Sequence, residues 1–149
     1  MHSTGSPELI IQIRHLCAEG YALYDSGAFK DALRLFYQAW LLLPKPQTDY
    51  EAAGWVLTAI GDTYFRMNQY EQGREALESA LYCPETDQSS FVHLRLGQCH
   101  WELLHDELAR HSLLRAYDMG QTEIFAAEDP KYYLAIADYL NRQSVSPED

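Results

Sequence analysis

The sequence predicts an all-α fold: three helical hairpins stacked side by side and closed by a C-terminal helix. Three observations carry this expectation. Apolar residues recur at steps of three and four; one glycine (Gly20, Gly61, Gly97) sits mid-helix in each hairpin; and proline gathers at the seams between periodic stretches. The 149 residues suit one domain with a continuous core, and 47% apolar content excludes disorder on compositional grounds.

The middle hairpin is the clearest. Ala53, Leu57, Ile60, Tyr64 and Met67 mark one face of a helix, with Thr48 and Glu51 spaced as a capping box at its start. Asn68 is placed to cap a second helix, with Glu71 three residues on; Tyr70, Gly73, Leu77 and Ala80 line its buried face, and Pro84 closes it. Upstream, Leu16, Gly20 and Leu23 lead through Gly27 and Phe29 to Ala32, Phe36, Ala39 and Pro44. Downstream, Leu96, Gly97 and His100 lead to Ala109, Leu113, Ala116 and Gly120. A mid-helix glycine costs roughly 1 kcal/mol against alanine, so three of them imply a close approach of a second helix.

Past Gly120, residues 121–125 form either a short helical turn or an extension of the helix, and Asp129-Pro130 is a strong start signal, an N-cap followed by proline in the first turn. Tyr132, Tyr133, Ile136, Tyr139 and Leu140 make the next helix amphipathic, as a helix covering the open end of a stack must be. The expected boundaries are hairpins at about 7–44, 48–84 and 88–120, a covering helix at about 129–142 and a frayed tail at 143–149.

These residues resemble the tetratricopeptide repeat, with its period of about 34 residues. Ile60-Gly61-x-x-Tyr64, Ala32-x-x-x-Phe36, Pro44 and Ala109-x-x-x-Leu113 carry the likeness. The glycines lie 41 and 36 residues apart, so Pro44 to Asp49 forms a longer first link; His93 and His100 stand where bulky apolar residues are usual. The resemblance implies a short right-handed superhelix whose first helices line a concave groove.

Eleven basic and 22 acidic residues give a net charge of −11, unsuited to nucleic acid or an anionic membrane. That charge either solubilises the chain or steers basic partners toward it. Cys17, Cys83 and Cys99 have no paired spacing and read as buried free thiols in a reducing compartment. With no signal-peptide pattern over Met1 to Glu8 and no membrane-length apolar run, the expected location is cytoplasmic.

Projected onto the groove, the first helices offer Arg14, Cys17, Tyr21, Tyr24 and Asp25; then Trp55, Thr58, Asp62, Phe65 and Arg66; then Phe91, Leu94, Gln98, Trp101 and Glu102. The candidate partner-binding residues among them are Tyr21, Tyr24, Asp25, Trp55, Asp62, Phe65, Arg66, Phe91, Gln98, Trp101 and Glu102. Wide rings off the core stripe anchor protein interfaces, and Asp25, Asp62 and Glu102 make the expected groove acidic, fit for a ligand bearing Lys or Arg. Two arginines and no asparagine at these positions argue against clamping of a terminal carboxylate.

Catalysis finds no support. No two of the six histidines are spaced i, i+4, adjacent Cys99 and His100 point to different faces, and neither a phosphate-binding glycine loop nor a nucleophile motif is present. Asp106-Glu107 and Glu128-Asp129 read as dipole partners at helix starts. The expectation is a binding protein without cofactor or metal.

A narrower resemblance spans about Tyr50 to Leu140. Ala53-Gly54-Trp55, residues 60–65 and 91–98, Arg115-Ala116-Tyr117, Glu123-Ile124-Phe125 and the run Glu128-Asp129-Pro130-Lys131-Tyr132 are similar to bacterial tetratricopeptide immunity proteins found with Rhs-type and other polymorphic toxins. That likeness implies binding and neutralising a cognate, basic toxin domain. Two alternatives stay open: a type III secretion chaperone holding an extended translocator segment, and a general scaffold with several weak partners. Pairing of exposed terminal repeats would add a homodimer.

Overall fold

The computed structural model describes residues 7–144. Seven helices follow in order: α1 (Pro7–Asp25), α2 (Phe29–Leu42), α3 (Glu51–Arg66), α4 (Tyr70–Ala80), α5 (Ser90–Glu102), α6 (Asp106–Gly120) and α7 (Pro130–Ser144). No strand occurs among the described residues. The helices pair as antiparallel hairpins α1–α2, α3–α4 and α5–α6, and α7 packs on α6. No helix among the described residues is long and apolar enough to cross a membrane.

The mid-helix glycines do what their cost implies. A Cβ on Gly61 would stand 2.5 Å from Leu77 Cγ, one on Gly97 would stand 2.7 Å from Leu113 Cγ, and one on Gly20 would overlap the Phe36 ring. In each hairpin the intruding side chain comes sixteen residues after its glycine (36 − 20, 77 − 61, 113 − 97). Phe36, Leu77 and Leu113 are thereby fully buried, each worth about 1.5–3 kcal/mol of transfer free energy.

Three apolar clusters run along the stack. Ile13, Phe36, Ala39, Val56 and Ile60 belong to the first, and Leu77, Val92, Leu96 and Cys99 to the second. The third joins Leu94 and Leu113 to Phe125, Tyr132 and Ile136, so α7 covers the third hairpin. The cysteines are free thiols, with Cys83 and Cys99 buried and Cys17 partly so.

The helix starts differ from expectation at two places. Thr48 and Glu51 form no capping box: the link folds into a 3-10 turn at Gln47–Asp49, and α3 begins after Tyr50 with no side-chain cap. Asn68 does not cap α4. It takes the left-handed conformation (φ 61°) in the turn, and its Oδ1 accepts a hydrogen bond from the Tyr70 hydroxyl at 2.9 Å. The side-chain cap that the motifs missed is Ser89, whose Oγ accepts from Val92 N at 3.3 Å. Residues 121–125 do form a 3-10 turn, and Asp129 Oδ1 accepts from Lys131 N at 3.0 Å at the start of α7. That helix takes in Gln143 and Ser144, placed above in the tail; residues 145–149 lie outside the described residues.

Candidate partner-binding face

The first helices α1, α3 and α5 lie side by side, and their shared face divides into two unlike halves. In one half, Tyr21 of α1, Gly54, Trp55 and Thr58 of α3, and Val92 of α5 wall a cleft of about 340 Å³, with Glu51 and Glu85 at its edge. Tyr21 is fixed by edge-on contacts with Phe36 at 5.1 Å and Tyr24 at 5.4 Å between centroids. Burial pushes the Tyr21 hydroxyl, and with it the Cys17 thiol (to about 11), above their ordinary values. Thr58 spends its hydroxyl proton on the Gly54 carbonyl at 2.7 Å. Arg14 stacks over the Trp55 ring at 4.7 Å from the centroid, leaving indole surface to the cleft.

The other half is crossed by an ion-pair network, beside a cleft of about 350 Å³ lined by Phe65, Arg66, Arg95, Glu128 and Lys131. Asp62, only 2% exposed, accepts from the Tyr24 hydroxyl and from Arg95 Nε, both at 2.8 Å. Arg95 Nη1 donates to Gln98 Oε1 at 2.8 Å and to Glu128 Oε1 at 2.6 Å, and Gln98 Nε2 donates to the same Glu128 oxygen at 2.7 Å. The Arg95 guanidinium also lies over the rings of Phe65 (4.6 Å) and Phe91 (4.9 Å). Burial alone would lower its pKa; the Asp62 and Glu128 carboxylates outweigh that and hold it above the ordinary arginine value. Beyond it, Glu102 accepts from the Tyr132 hydroxyl at 2.6 Å and pairs with Lys131 at 2.7 Å.

Of the residues projected onto the groove, the structure brings Tyr21, Trp55 and Thr58 together at an open cleft. It also places Asp25 exposed at the end of α1, and Arg66 exposed over the rings of Tyr24 and Phe29 at 5.2 and 5.3 Å. The expected open acidic groove is otherwise altered. Asp62 and Gln98 are buried and paired, Glu102 is neutralised by Lys131, and Leu94 and Trp101 pack into the third apolar cluster. Phe65 and Phe91 are the rings that sandwich Arg95. Glu128, read as a dipole partner, is the ion-pair partner of Arg95, 33 residues away, while Asp129 alone caps the helix.

Arg95, Glu128, Lys131 and Tyr132 also line this face and are absent from the helical projection. Arg95 had a visible signal: it shares a helical stripe with Phe91, Gln98 and Glu102, at steps of four, three and four. The two histidines of α5 are also accounted for. His93 Nε2 lies 3.0 Å from the Asp87 carbonyl, and His100 Nδ1 lies 3.1 Å from His105 Nδ1. No group of three or more His, Cys, Asp or Glu side chains among the described residues is placed to hold a metal ion.

No protein-family model matches the sequence, and no curated protein matches it either. Solved structures do. The Yersinia enterocolitica type III secretion chaperone SycD, in complex with a peptide of the translocator YopD, superposes with a TM-score of 0.66 at 14% identity, covering 88% of this chain and 94% of SycD. The Sgt2 TPR domain from Aspergillus fumigatus gives 0.64 at 18% identity (97% and 88% covered), and PcrH from Pseudomonas aeruginosa 0.60 at 17% (87% and 86% covered). At these identities the likeness speaks for architecture, and the architecture is the tetratricopeptide-type stack of helical hairpins.

Proposed function

We propose that this chain is a protein-binding module that grips an extended, largely apolar segment of a partner in the cleft walled by Tyr21, Trp55 and Thr58. The observation that carries the reading is the cleft: the rings of Tyr21 and Trp55 and the side chains of Val92 and Pro84 line it, the Thr58 hydroxyl is bonded to the Gly54 carbonyl, and the exposed carboxylates Glu51 and Glu85 stand at its edge. Such a surface takes apolar side chains and favours a neighbouring Lys or Arg. The shared architecture with SycD, solved with a translocator peptide bound, supports a peptide ligand.

The test is selection of short peptides from a displayed random library against the wild-type chain, with Trp55→Ala as the counter-screen. Enriched segments should combine apolar residues with a flanking Lys or Arg, and should bind Trp55→Ala at least about 30-fold more weakly, as for an interface hot spot. Equal binding by the variant would remove the cleft from the reading.

A second reading, neutralisation of a basic toxin domain, draws on the net charge of −11 and the exposed carboxylates Asp25, Glu51 and Glu85. It predicts tight binding to a folded basic domain and none to that domain's peptides. Charge reversal at those three positions should then slow association and flatten or invert its salt dependence.

A further inference from the structure

A second cleft, of about 250 Å³, lies on the other side of α3, between α2 and α4. Leu57 and Ile60 of α3, themselves almost wholly buried, contribute its apolar part. Tyr37 and Trp40 of α2 and Tyr64 of α3 supply three aromatic rings, and Glu75 of α4 supplies a carboxylate. The Tyr37 and Tyr64 hydroxyls are hydrogen-bonded to each other at 3.0 Å, which occupies the polar tips of both rings and ties α2 to α3. Tyr37 nevertheless remains 41% exposed.

On α4 this carboxylate is the most weakly held of three. Arg74 faces three carboxylates. It is held at 2.6 Å by Glu71 and at 2.6 Å by Glu78, whereas Glu75 stands 3.9 Å away with its side chain 67% exposed. One cation against three anions leaves a local excess of negative charge beside three aromatic rings and an aliphatic floor. No basic side chain lines the cleft. An anion would be repelled here, and a purely aliphatic group would strip water from Glu75 without replacing it.

We propose that this cleft is a second binding site, distinct from the first-helix cleft, for the side chain of a Lys or Arg presented by a protein partner. The methylene stem packs on Leu57 and Ile60, the cationic head lies among the rings of Tyr37, Trp40 and Tyr64, and Glu75 supplies the counter-charge. The site works independently of the Trp55 cleft, since the two share no residue.

The test follows the three tryptophan indole N–H signals by NMR, with that of Trp40 assigned through Trp40→Phe. Capped tripeptides with a central lysine, arginine or norleucine are titrated to millimolar excess. Lysine and arginine peptides should shift the Trp40 signal and leave that of Trp55 in place, with the norleucine peptide at least about tenfold weaker. Glu75→Gln, an exposed change that touches no core residue, should weaken the lysine peptide by about three- to tenfold. Tyr37→Phe, which removes the hydroxyl pair but keeps the ring, should preserve most of the binding. A still Trp40 signal, equal binding of norleucine, or indifference to Glu75→Gln would each overturn the proposal.

Discussion

Arg95 Nη1 lies 2.6 Å from Glu128 Oε1, joining the middle of α5 to the residue two places ahead of α7. With Nε on Asp62, the same guanidinium spans the second hairpin, the third hairpin and the covering helix. A buried charge of this kind is costly to unpair. Arg95→Met should lower the unfolding free energy by about 3–5 kcal/mol, because Asp62 and Glu128 are left without a counter-charge. The triple variant Asp62→Asn, Arg95→Met, Glu128→Gln should recover most of that loss, since Met suits the rings of Phe65 and Phe91. Urea unfolding of the three proteins decides it; an unchanged midpoint for Arg95→Met alone would show that the ion pairs hold nothing.

Gly61→Ala reverses the usual sign of a helix-interior glycine substitution. On an open helix it would stabilise by about 1 kcal/mol. Here the new Cβ would sit 2.5 Å from Leu77 Cγ and 3.2 Å from the Gly73 carbonyl oxygen, so overpacking should cost about 1–3 kcal/mol. Thermal melting should show the midpoint falling by about 2–4 °C per kcal/mol for a chain of this size. A rise would mean the hairpin opens without cost.

Trp55 and Trp101 should separate binding from stability. Trp55 packs on the first apolar cluster and Trp101 on the third, both partly buried, but Trp55 also borders the open cleft with Tyr21. Both Ala variants should therefore lose unfolding free energy, by about 3–5 kcal/mol at most, while Trp55→Ala should lose more affinity for selected peptides than Trp101→Ala. Calorimetry on both variants measures the two quantities side by side.

Stability should fall on mild acidification through His100. Burial, the first cause, together with His105 and Arg74, lowers its pKa below 6.5 against the opposing pull of Glu78 and Glu71. The folded state thus binds a proton less readily than the unfolded chain. The contribution is complete above pH 6.5 and is lost as pH drops through the folded value. Denaturant midpoints at pH 7.5 and 5.5 should differ less in His100→Gln than in the wild type.

The thiols should label in an order set by burial, which raises Cys17 and Cys83 to about 11 and Cys99 to about 12. Cys17, partly exposed, should alkylate first, and fully buried Cys99 only at the rate of unfolding. Mass spectrometry of a timed iodoacetamide reaction reads the order.

The features legible in the sequence are those in which the backbone dictates the residue. Gly20, Gly61 and Gly97 announced close helix approach because alanine is otherwise preferred there, and Asp129-Pro130 announced a helix start because few other positions suit both residues. Thr48 and Asn68 misled because cap spacing takes no account of how the preceding link folds: one link tightens into a 3-10 turn, the other turns left-handed at Asn68. Asp62 and Gln98 looked like groove residues because polarity on a helix face ordinarily means water. Their partners come from Arg95 and Glu128, 33 and 30 residues along the chain, and no local pattern shows an ion pair closed over that separation. The cleft at Tyr21, Trp55 and Thr58 lies where the projection placed aromatic side chains, but its edge residue Glu85 comes from the turn after α4 and escapes any helical projection.

The constant sixteen-residue offset between each glycine and the side chain that fills it has a mechanical meaning. Every hairpin is locked at the same point of its length, whereas the links between hairpins differ in length and in their turns. The hairpins are thus keyed alike, while the joints between them are braced by side chains, Tyr37 on Tyr64 and Arg95 on Asp62, as well as by the links at 43–50 and 81–89.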